Sequence, residues 1–318
     1  MLHNAAVVSR RAGKVGNQQV APACALASVL VALGLLLPAA SASAATGPPT
    51  LGLNGPKRPG LLDTVVASGH LPGAAPGEQV TVEVTASGRK VFSQKVGTKS
   101  AGAYQTSFVI NACCAYSVVA SGGGKSSGAQ QFSVDAPRKL KKGGLAKLFN
   151  RALQAQGFHT GTRGPRVTSG THLAIKAFRK VNGMRWSEAY HRSIFRTLLQ
   201  GKGAFKPRFN DGRHVEVDIS KQVMALVEGD TPVHTFHVST GTGGTPTVLG
   251  SYRFYLKQPG YNSKRMYYSV YFIGGYATHG YSSVPNGRAS HGCVRNPIQF
   301  SRFIYNWIDL GDPMHTYA

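Results

Sequence analysis

Acidic residues are scarce in this chain. Its 318 residues hold 12 Asp and Glu against 36 Lys and Arg, a net charge of +24. That balance points to polyanionic surroundings: nucleic acid, anionic lipid or an anionic cell wall. Cysteine is scarce too, with 4 in all. A C-x-x-C pair and an H-x-x-x-H pair, the common zinc-ligand spacings, are both missing, which ranks a zinc centre low. The apolar run Ala21 to Leu37 is short for a membrane span and studded with alanine.

What stands around that run is informative. Arg10, Arg11 and Lys14 precede it, and Pro38-Ala39-Ala40-Ser41-Ala42-Ser43-Ala44 follows. That order is a secretory signal with an Ala-x-Ala site ending at Ala44, so residues 1–44 are expected to be removed on export. An uncleaved membrane anchor is the alternative. Ser9-Arg10-Arg11 hints at twin-arginine export. Cys24 precedes the apolar core, which argues against lipidation there. Cleavage leaves Cys113, Cys114 and Cys293. An odd count in an exported chain flags a free reactive thiol. Adjacent Cys113 and Cys114 form a vicinal disulfide or stay reduced in a strand, and Cys293 has no obvious partner.

Residues 45–59 read as a Gly/Pro-rich linker. From 60 to 137, short alternating runs such as Val80-Thr81-Val82-Glu83-Val84 are separated by Ser87-Gly88 and Gly122-Gly123-Gly124. Evenly spaced short strands with such turns predict an immunoglobulin-like β-sandwich. Asp63, His70 and Glu83 are scattered there and read as surface groups. Residues 138–206 shift to helical spacing, with Leu145, Leu148, Phe149, Ala152 and Leu153 in the first helix. Gly157 ends it. Further helices are expected at about 171–181 and 187–199. From 207 to 318 the chain is strand-rich. Val215, Val217 and Ile219 alternate, Val223 to Val227 follows, and Gly229-Asp230 turns into Val233 to Val238. Ile298, Ile304, Trp307 and Ile308 mark a last helix ending at Gly311, and 314–317 a closing strand. The fold class is therefore multidomain and mainly β: a sandwich, a small three-helix module, and a β-rich domain with a C-terminal helix.

The chemistry is concentrated between His279 and Arg295. Two histidines, one cysteine and two arginines fall within seventeen residues, with glycines beside both histidines and the cysteine. A thiolate attacks carbonyls far better than a thiol, and a neighbouring base or positive charge helps to form it. Asn296-Pro297 reads as an N-cap and first helical residue. Cys293 would then lie just ahead of a helix N-terminus, whose partial charge lowers a thiol pKa. No Asp or Glu stands between Gly275 and Pro297. A Cys-His-Asp triad would need a distant acid such as Asp218.

The letters Ser290-His291-Gly292-Cys293-x-Arg295, with His279-Gly280 upstream, resemble the active-site signature of the L,D-transpeptidases, the YkuD-type family. Ser239-Thr240-Gly241 and Thr245-Pro246-Thr247 before Gly250 resemble that family's flanking blocks, with Val248-Leu249 as an insertion. Ten residues stand between Gly280 and His291. That loop is similar to the family's shorter branch, which carries a pair like Val284-Pro285. Upstream, Leu153, Gly157-Phe158, Gly161, the stretch Ala174 to Arg179, and Gly183-Met184 resemble a peptidoglycan-binding module. Thr162-Arg163-Gly164-Pro165 stands where that module has an acidic Asp-Gly-x-Phe-Gly stretch. A helical spacer is the plain alternative for it.

The resemblance implies roles. Cys293 is the nucleophile, His279 its base in a thiolate–imidazolium pair, and the Gly280 carbonyl the orienter of the ring. Backbone N–H groups of Gly292 and Cys293 form the oxyanion hole, and His291 shapes the pocket. Arg295 holds a substrate carboxylate, and Ser290, Tyr271 and Tyr276 contribute to substrate binding. No metal or cofactor is implied. The implied reaction is peptidoglycan cross-linking. Cys293 acylates on a tetrapeptide stem with release of D-Ala, and an amine of a neighbouring stem resolves the thioester into a 3-3 link. Water as acceptor would make it a carboxypeptidase, and a non-catalytic wall-binding protein or a thiol endopeptidase is the further alternative. Expected partners are peptidoglycan stems, anionic wall polymers and carbapenem-type β-lactams as inhibitors. Export to the cell wall disfavours nucleic acid.

Overall fold

The computed structural model describes residues 45–318. The secretory-signal reading of residues 1–44 lies outside the described residues. The first two sheets are built from β1 (Gly52–Asn54), β2 (Thr64–His70), β3 (Gln79–Ala86), β4 (Arg89–Gly97), β5 (Ala103–Val109), β6 (Cys114–Gly122), β7 (Lys125–Ser126) and β8 (Gln130–Val134). One sheet runs β1-β2-β5; the other runs β4-β3-β6-β7, with β8 also on β6. The alternation seen in the sequence is the inward face: Val80, Val82 and Val84 of β3 are fully buried while the residues between them are not. β1 falls within the stretch expected to be a linker, where Gly52, Leu53 and Asn54 pair with Ser68, Ala67 and Val66. Cys113 and Cys114 are disulfide-bonded to each other.

Three helices follow: α1 (Gly144–Ala155), α2 (Ser169–Val181) and α3 (Arg192–Leu199). Their buried side chains join the core of the preceding sheets in one cluster, from Leu61 to Leu199. A capping box starts α2. The Thr168 hydroxyl accepts from the Thr171 N–H, and the Thr171 hydroxyl accepts from the Thr168 N–H. α3 begins later than the expected residue 187. The His191 ring caps it by accepting from the Ser193 N–H, which fixes the start at Arg192.

The last domain has two sheets. One, ordered β11-β10-β9-β17-β12, uses β9 (Arg213–Asp218), β10 (Val223–Glu228), β11 (Thr231–His237), β12 (Gly250–Arg253) and β17 (Pro313–Tyr317). The other, β13-β14-β15-β16, uses β13 (Leu256–Tyr261), β14 (Tyr267–Ile273), β15 (Tyr276–Tyr281) and β16 (Val294–Pro297). Helix α4 (Ile298–Trp307) packs across β14 and β15. Here the expected alternation in β9 is not a wet–dry alternation. His214, Glu216 and Asp218 are as buried as Val215 and Val217. The Glu216 carboxylate is satisfied by the backbone N–H groups of Arg208 and Phe209 and by the Tyr317 hydroxyl, as burial of a charge requires.

β15 and β16 are parallel. A parallel neighbour needs a crossover, and residues 282–293 supply it. That crossover carries the histidine–cysteine motif. Asn296 and Pro297, expected as helix cap and first helical residue, belong to β16 instead. Pairing with Gly280 and Tyr281 takes them into the sheet, and α4 starts one residue beyond, at Ile298. It ends at Trp307, ahead of the expected Gly311. Among the described residues, no helix is long and apolar enough to cross a membrane.

Candidate active site

Parallel pairing of β15 with β16 sets His279 opposite Arg295, and Cys293 occupies the last crossover position before β16. These three line one cleft of about 480 Å³ with Lys264, Met266, Gly275, Tyr276, Tyr281, Ser290 and His291. His279 is only 3% exposed. Its Nδ1 lies 2.9 Å from the Gly280 carbonyl oxygen. A carbonyl only accepts, so Nδ1 carries the proton and Nε2 is left as the basic nitrogen. Gly280 is needed here for a second reason. A Cβ at this position would fall 1.9 Å from Ser301 Oγ on α4.

Burial acts on both members of the pair in the same sense. Desolvation pulls His279 down to about 4, against the Gly280 hydrogen bond, and Arg295 adds to the lowering. Desolvation also pushes the Cys293 thiol above its ordinary value, opposed by the Ala277 backbone, Lys264 and Arg295. Both shifts favour the uncharged forms, a thiol and an imidazole sharing the cleft, over the thiolate–imidazolium pair that the resemblance implied. The helix contribution behind that expectation is absent, because β16 separates Cys293 from the start of α4. Sγ faces the Gly275 carbonyl at 3.8 Å.

The turn holding Cys293 is fixed from several sides. Gly292 has φ +107, and a Cβ there would meet Tyr276 Cε1 at 1.9 Å. Only glycine suits both that conformation and the contact. Ser290 Oγ donates to the Cys293 carbonyl at 2.5 Å and accepts from the Gly292 N–H at 3.2 Å. Ser290 is 1% exposed, and its hydroxyl is committed to shaping the turn rather than to a substrate. The Gly292 N–H, one of the two expected oxyanion donors, is engaged by that same hydroxyl. The Ser-Thr-Gly and Thr-Pro-Thr blocks brace the turn from below. Thr247 Oγ1 donates to the Gly292 carbonyl and accepts from the Gly241 N–H, and Ser239 exchanges both backbone hydrogen bonds with Arg295.

The other expected residues sort clearly. Tyr276 is in the cleft, packed on Gly292. His291 lines the cleft and is exposed. The Arg295 guanidinium stacks over the Tyr281 ring, 4.2 Å from its centroid. Tyr271 does not line the cleft. Its hydroxyl donates to Gln258 and accepts from Asn262 beside β13. Asp218 is held by the Ser220 hydroxyl, the Lys221 N–H and the Lys221 ammonium in the other sheet, so it does not complete a triad. Lys264 is a cleft residue that sequence reasoning missed. It sits in the β13–β14 turn, and no spacing ties it to the motif. Among the described residues, no three His, Cys, Asp or Glu side chains group as metal ligands.

Residues 212–315 match the family model described as YkuD, the L,D-transpeptidase catalytic domain. No curated protein matches the chain. Among solved structures, an L,D-transpeptidase (residues 123–326) from Xylanimonas cellulosilytica is 26% identical, with a TM-score of 0.53. The match covers 57% of this chain and 98% of that one. An L,D-transpeptidase from Stackebrandtia nassauensis is 23% identical over 58% of this chain and 96% of its own, at a TM-score of 0.36.

Proposed function

We propose that this chain, whose residues 212–315 are a YkuD-type L,D-transpeptidase catalytic domain, is an exported cell-wall enzyme that cross-links peptidoglycan stems through a cysteine acyl-enzyme. What carries the reading is one arrangement. His279, fixed as the Nδ1–H tautomer by Gly280, shares a cleft with Cys293 and Arg295. In the first half-reaction His279 Nε2 takes the thiol proton as Sγ attacks the carbonyl of the third residue of a tetrapeptide stem. Since both groups rest neutral, general-base transfer in the transition state is the step the site favours. The tetrahedral oxyanion is met by the Cys293 N–H. Collapse breaks the amide bond, D-Ala leaves with the proton returned by His279, and a thioester remains. An amine of a neighbouring stem then attacks the thioester. His279 accepts its proton, the C–S bond breaks, and a 3-3 cross-link and free thiol result.

Arg295 and Lys264 give the cleft positive charge suited to stem carboxylates. His291 forms its outer wall. The chain's excess of 36 basic over 12 acidic residues suits anionic wall polymers, and carbapenem-type β-lactams would acylate the same Sγ. Incubating the purified protein with a disaccharide-tetrapeptide, with and without an acceptor stem, and weighing the intact protein tests this. Loss of D-Ala with a thioester on Cys293, passing to a dimer when acceptor is added, is the expected result. Tripeptide without dimer would make water the acceptor. A folded, reduced protein that forms no adduct would overturn the enzyme reading.

A further inference from the structure

Lys180 is a charged residue where an apolar one would be expected. It sits on α2 in the helical module, 1% exposed. Its Nζ donates in three directions: to the Asn286 carbonyl at 2.8 Å, to His237 Nδ1 at 2.9 Å and to the Gln222 carbonyl at 3.2 Å. An ammonium has three donors and no acceptor, so all three are satisfied. The Trp186 ring faces it at 4.5 Å. Accepting at Nδ1 forces the proton of His237 onto Nε2, which donates to the Val284 carbonyl at 2.9 Å. Two further bonds reach the same segment. Asn286 Nδ2 donates to the Trp186 carbonyl at 3.3 Å, and Ser239 Oγ donates to the Gly287 carbonyl at 2.6 Å.

The segment so held is the crossover itself. Residues 284–287 are its middle; Tyr281 at one end and Ser290, His291 and Cys293 at the other line the cleft. The helical module thus holds the crossover between its cleft-lining residues, through the Lys180 side chain and the Trp186 carbonyl. We propose that Lys180 is a positioning residue for acyl transfer: with His237 it clamps residues 284–287, and so sets where the crossover presents Cys293 and His291 to the stem. This rests on the reading of Cys293 as the acyl-transfer nucleophile. It also gives the helical module a role that does not require it to hold glycan.

The clamp is built to respond to pH. Burial first, and Lys176 second, pull Lys180 down to about 7. The groups facing it are Lys176 on its own helix, itself paired with Glu188, His237 on β11, and the carbonyls of Gln222 and Asn286. None of these is a carboxylate. His237 is held far below the ordinary histidine value, at about 3, by burial and then by Lys180, so it stays neutral and Lys180 is the member that titrates. A deprotonated Lys180 has two donors for three acceptors. Its lone pair then opposes that of His237 Nδ1. Relief needs the other His237 tautomer, which gives up the bond to Val284.

The test is Lys180→Met, close in volume and without charge. Backbone hydrogen exchange reads the amides of Ala289 and Ser290, both bonded to the Thr240 carbonyl at the far end of the clamped segment, unfolding reads the whole protein, and intact mass reads thioester formation. Exchange of these two amides should quicken by about tenfold or more, as expected when the segment before them loses charge-assisted hydrogen bonds. The second-order rate of acylation should fall by a similar factor. The thermal midpoint should fall, because three buried acceptors lose their donor. Lys180→Arg, which keeps donors, should recover part of the protection. In the wild type, exchange of Ala289 and Ser290 relative to free peptide should increase as pH rises through about 7, and K180M should show no such dependence. Unchanged exchange of Ala289 and Ser290 in folded K180M overturns the clamp, whatever the acylation result. Should K180M not fold, wild-type Ala289 and Ser290 amides protected equally on both sides of pH 7 overturn it instead. Absence of thioester in the wild type would instead strike the functional reading, and the exchange comparison would still decide the clamp.

Discussion

Replacing Gly292 by alanine should disable the site more than any other single methyl group in the crossover. Two independent costs follow from its position. At φ +107 an L-residue is strained, by about 1–2 kcal/mol. The new Cβ also lands 1.9 Å from Tyr276 Cε1, 2.6 Å from Cδ1 and 2.9 Å from Cζ. Restoring ordinary contact at about 3.4 Å requires the ring or the turn to move by roughly 1.5 Å, and overpacking of that kind costs about 1–3 kcal/mol. The sum, about 2–5 kcal/mol, should appear as a lowered urea midpoint. Activity should suffer separately, since either movement carries Cys293 or the cleft wall with it. A misplacement near 1 Å at reacting atoms costs about 100-fold, so thioester formation followed by intact mass should slow by about that factor. Adding Tyr276→Ala to Gly292→Ala removes the clash but not the φ strain, and should recover the overpacking share of the stability loss. A G292A protein that acylates within about threefold of wild type and unfolds within about 0.5 kcal/mol of it would refute this account of the turn.

Acid should weaken the fold through its buried histidines. His279 and His237 titrate at about 4 and about 3 when folded, both lowered chiefly by burial, and near 6.5 when unfolded. Their stabilisation is complete above about 6.5 and is lost as pH falls toward those values, by about 2–3 kcal/mol each at pH 4.5. Urea unfolding at neutral and acidic pH measures it, and a flat profile would count against neutral burial of these rings. Alkylation of Cys293 should be slow at neutral pH and rise about tenfold per pH unit through pH 8, since burial raises the thiol. A fast, pH-independent plateau between about pH 5 and 7 would instead mean a resting ion pair with His279. Thr168→Ala should remove the capping box of α2 and lower stability by about 1 kcal/mol; a change below about 0.3 kcal/mol would show that packing alone holds the start of α2.

The cysteine, histidine and ring-orienting carbonyl of the cleft were legible because they lie close together in sequence. His279 and Gly280 are consecutive, and Cys293 stands just ahead of the strand that carries Arg295 and pairs with theirs. The valine alternation of β3 was legible because one face of a sandwich is wet. In β9 the same rule failed, because both faces are covered and Glu216 finds its donors 7 and 8 residues back along the chain. Asn296 misled for a similar reason. Its side chain fits an N-cap, but strand pairing claims the backbone, and the amide instead links Thr278 to Ser301. Tyr271 was not legible as lying outside the cleft, because its hydroxyl partners, Gln258 and Asn262, stand 13 and 9 residues back on and beside another strand. Lys180 could not be found from its own neighbourhood, because its partners stand 42, 57 and 106 positions away.

The shortage of acid noted at the start has a counterpart in the site. A carboxylate beside His279 would raise its pKa and favour the imidazolium. A backbone carbonyl fixes the same tautomer with a weaker pull, and burial wins. The ring is then a neutral base at every pH where the fold is fully stable, and its orientation depends on strand geometry rather than on a titrating partner. That geometry depends in turn on Gly280, where β15 runs so close to α4 that a Cβ would meet Ser301 at 1.9 Å. A substitution at Gly280 leaves the carbonyl in the chain but moves it, so it acts on the tautomer and aim of His279 through packing. Orientation of the base and contact of the last helix with the sheet are therefore one constraint, and Ser301, although it touches no reacting atom, belongs to both.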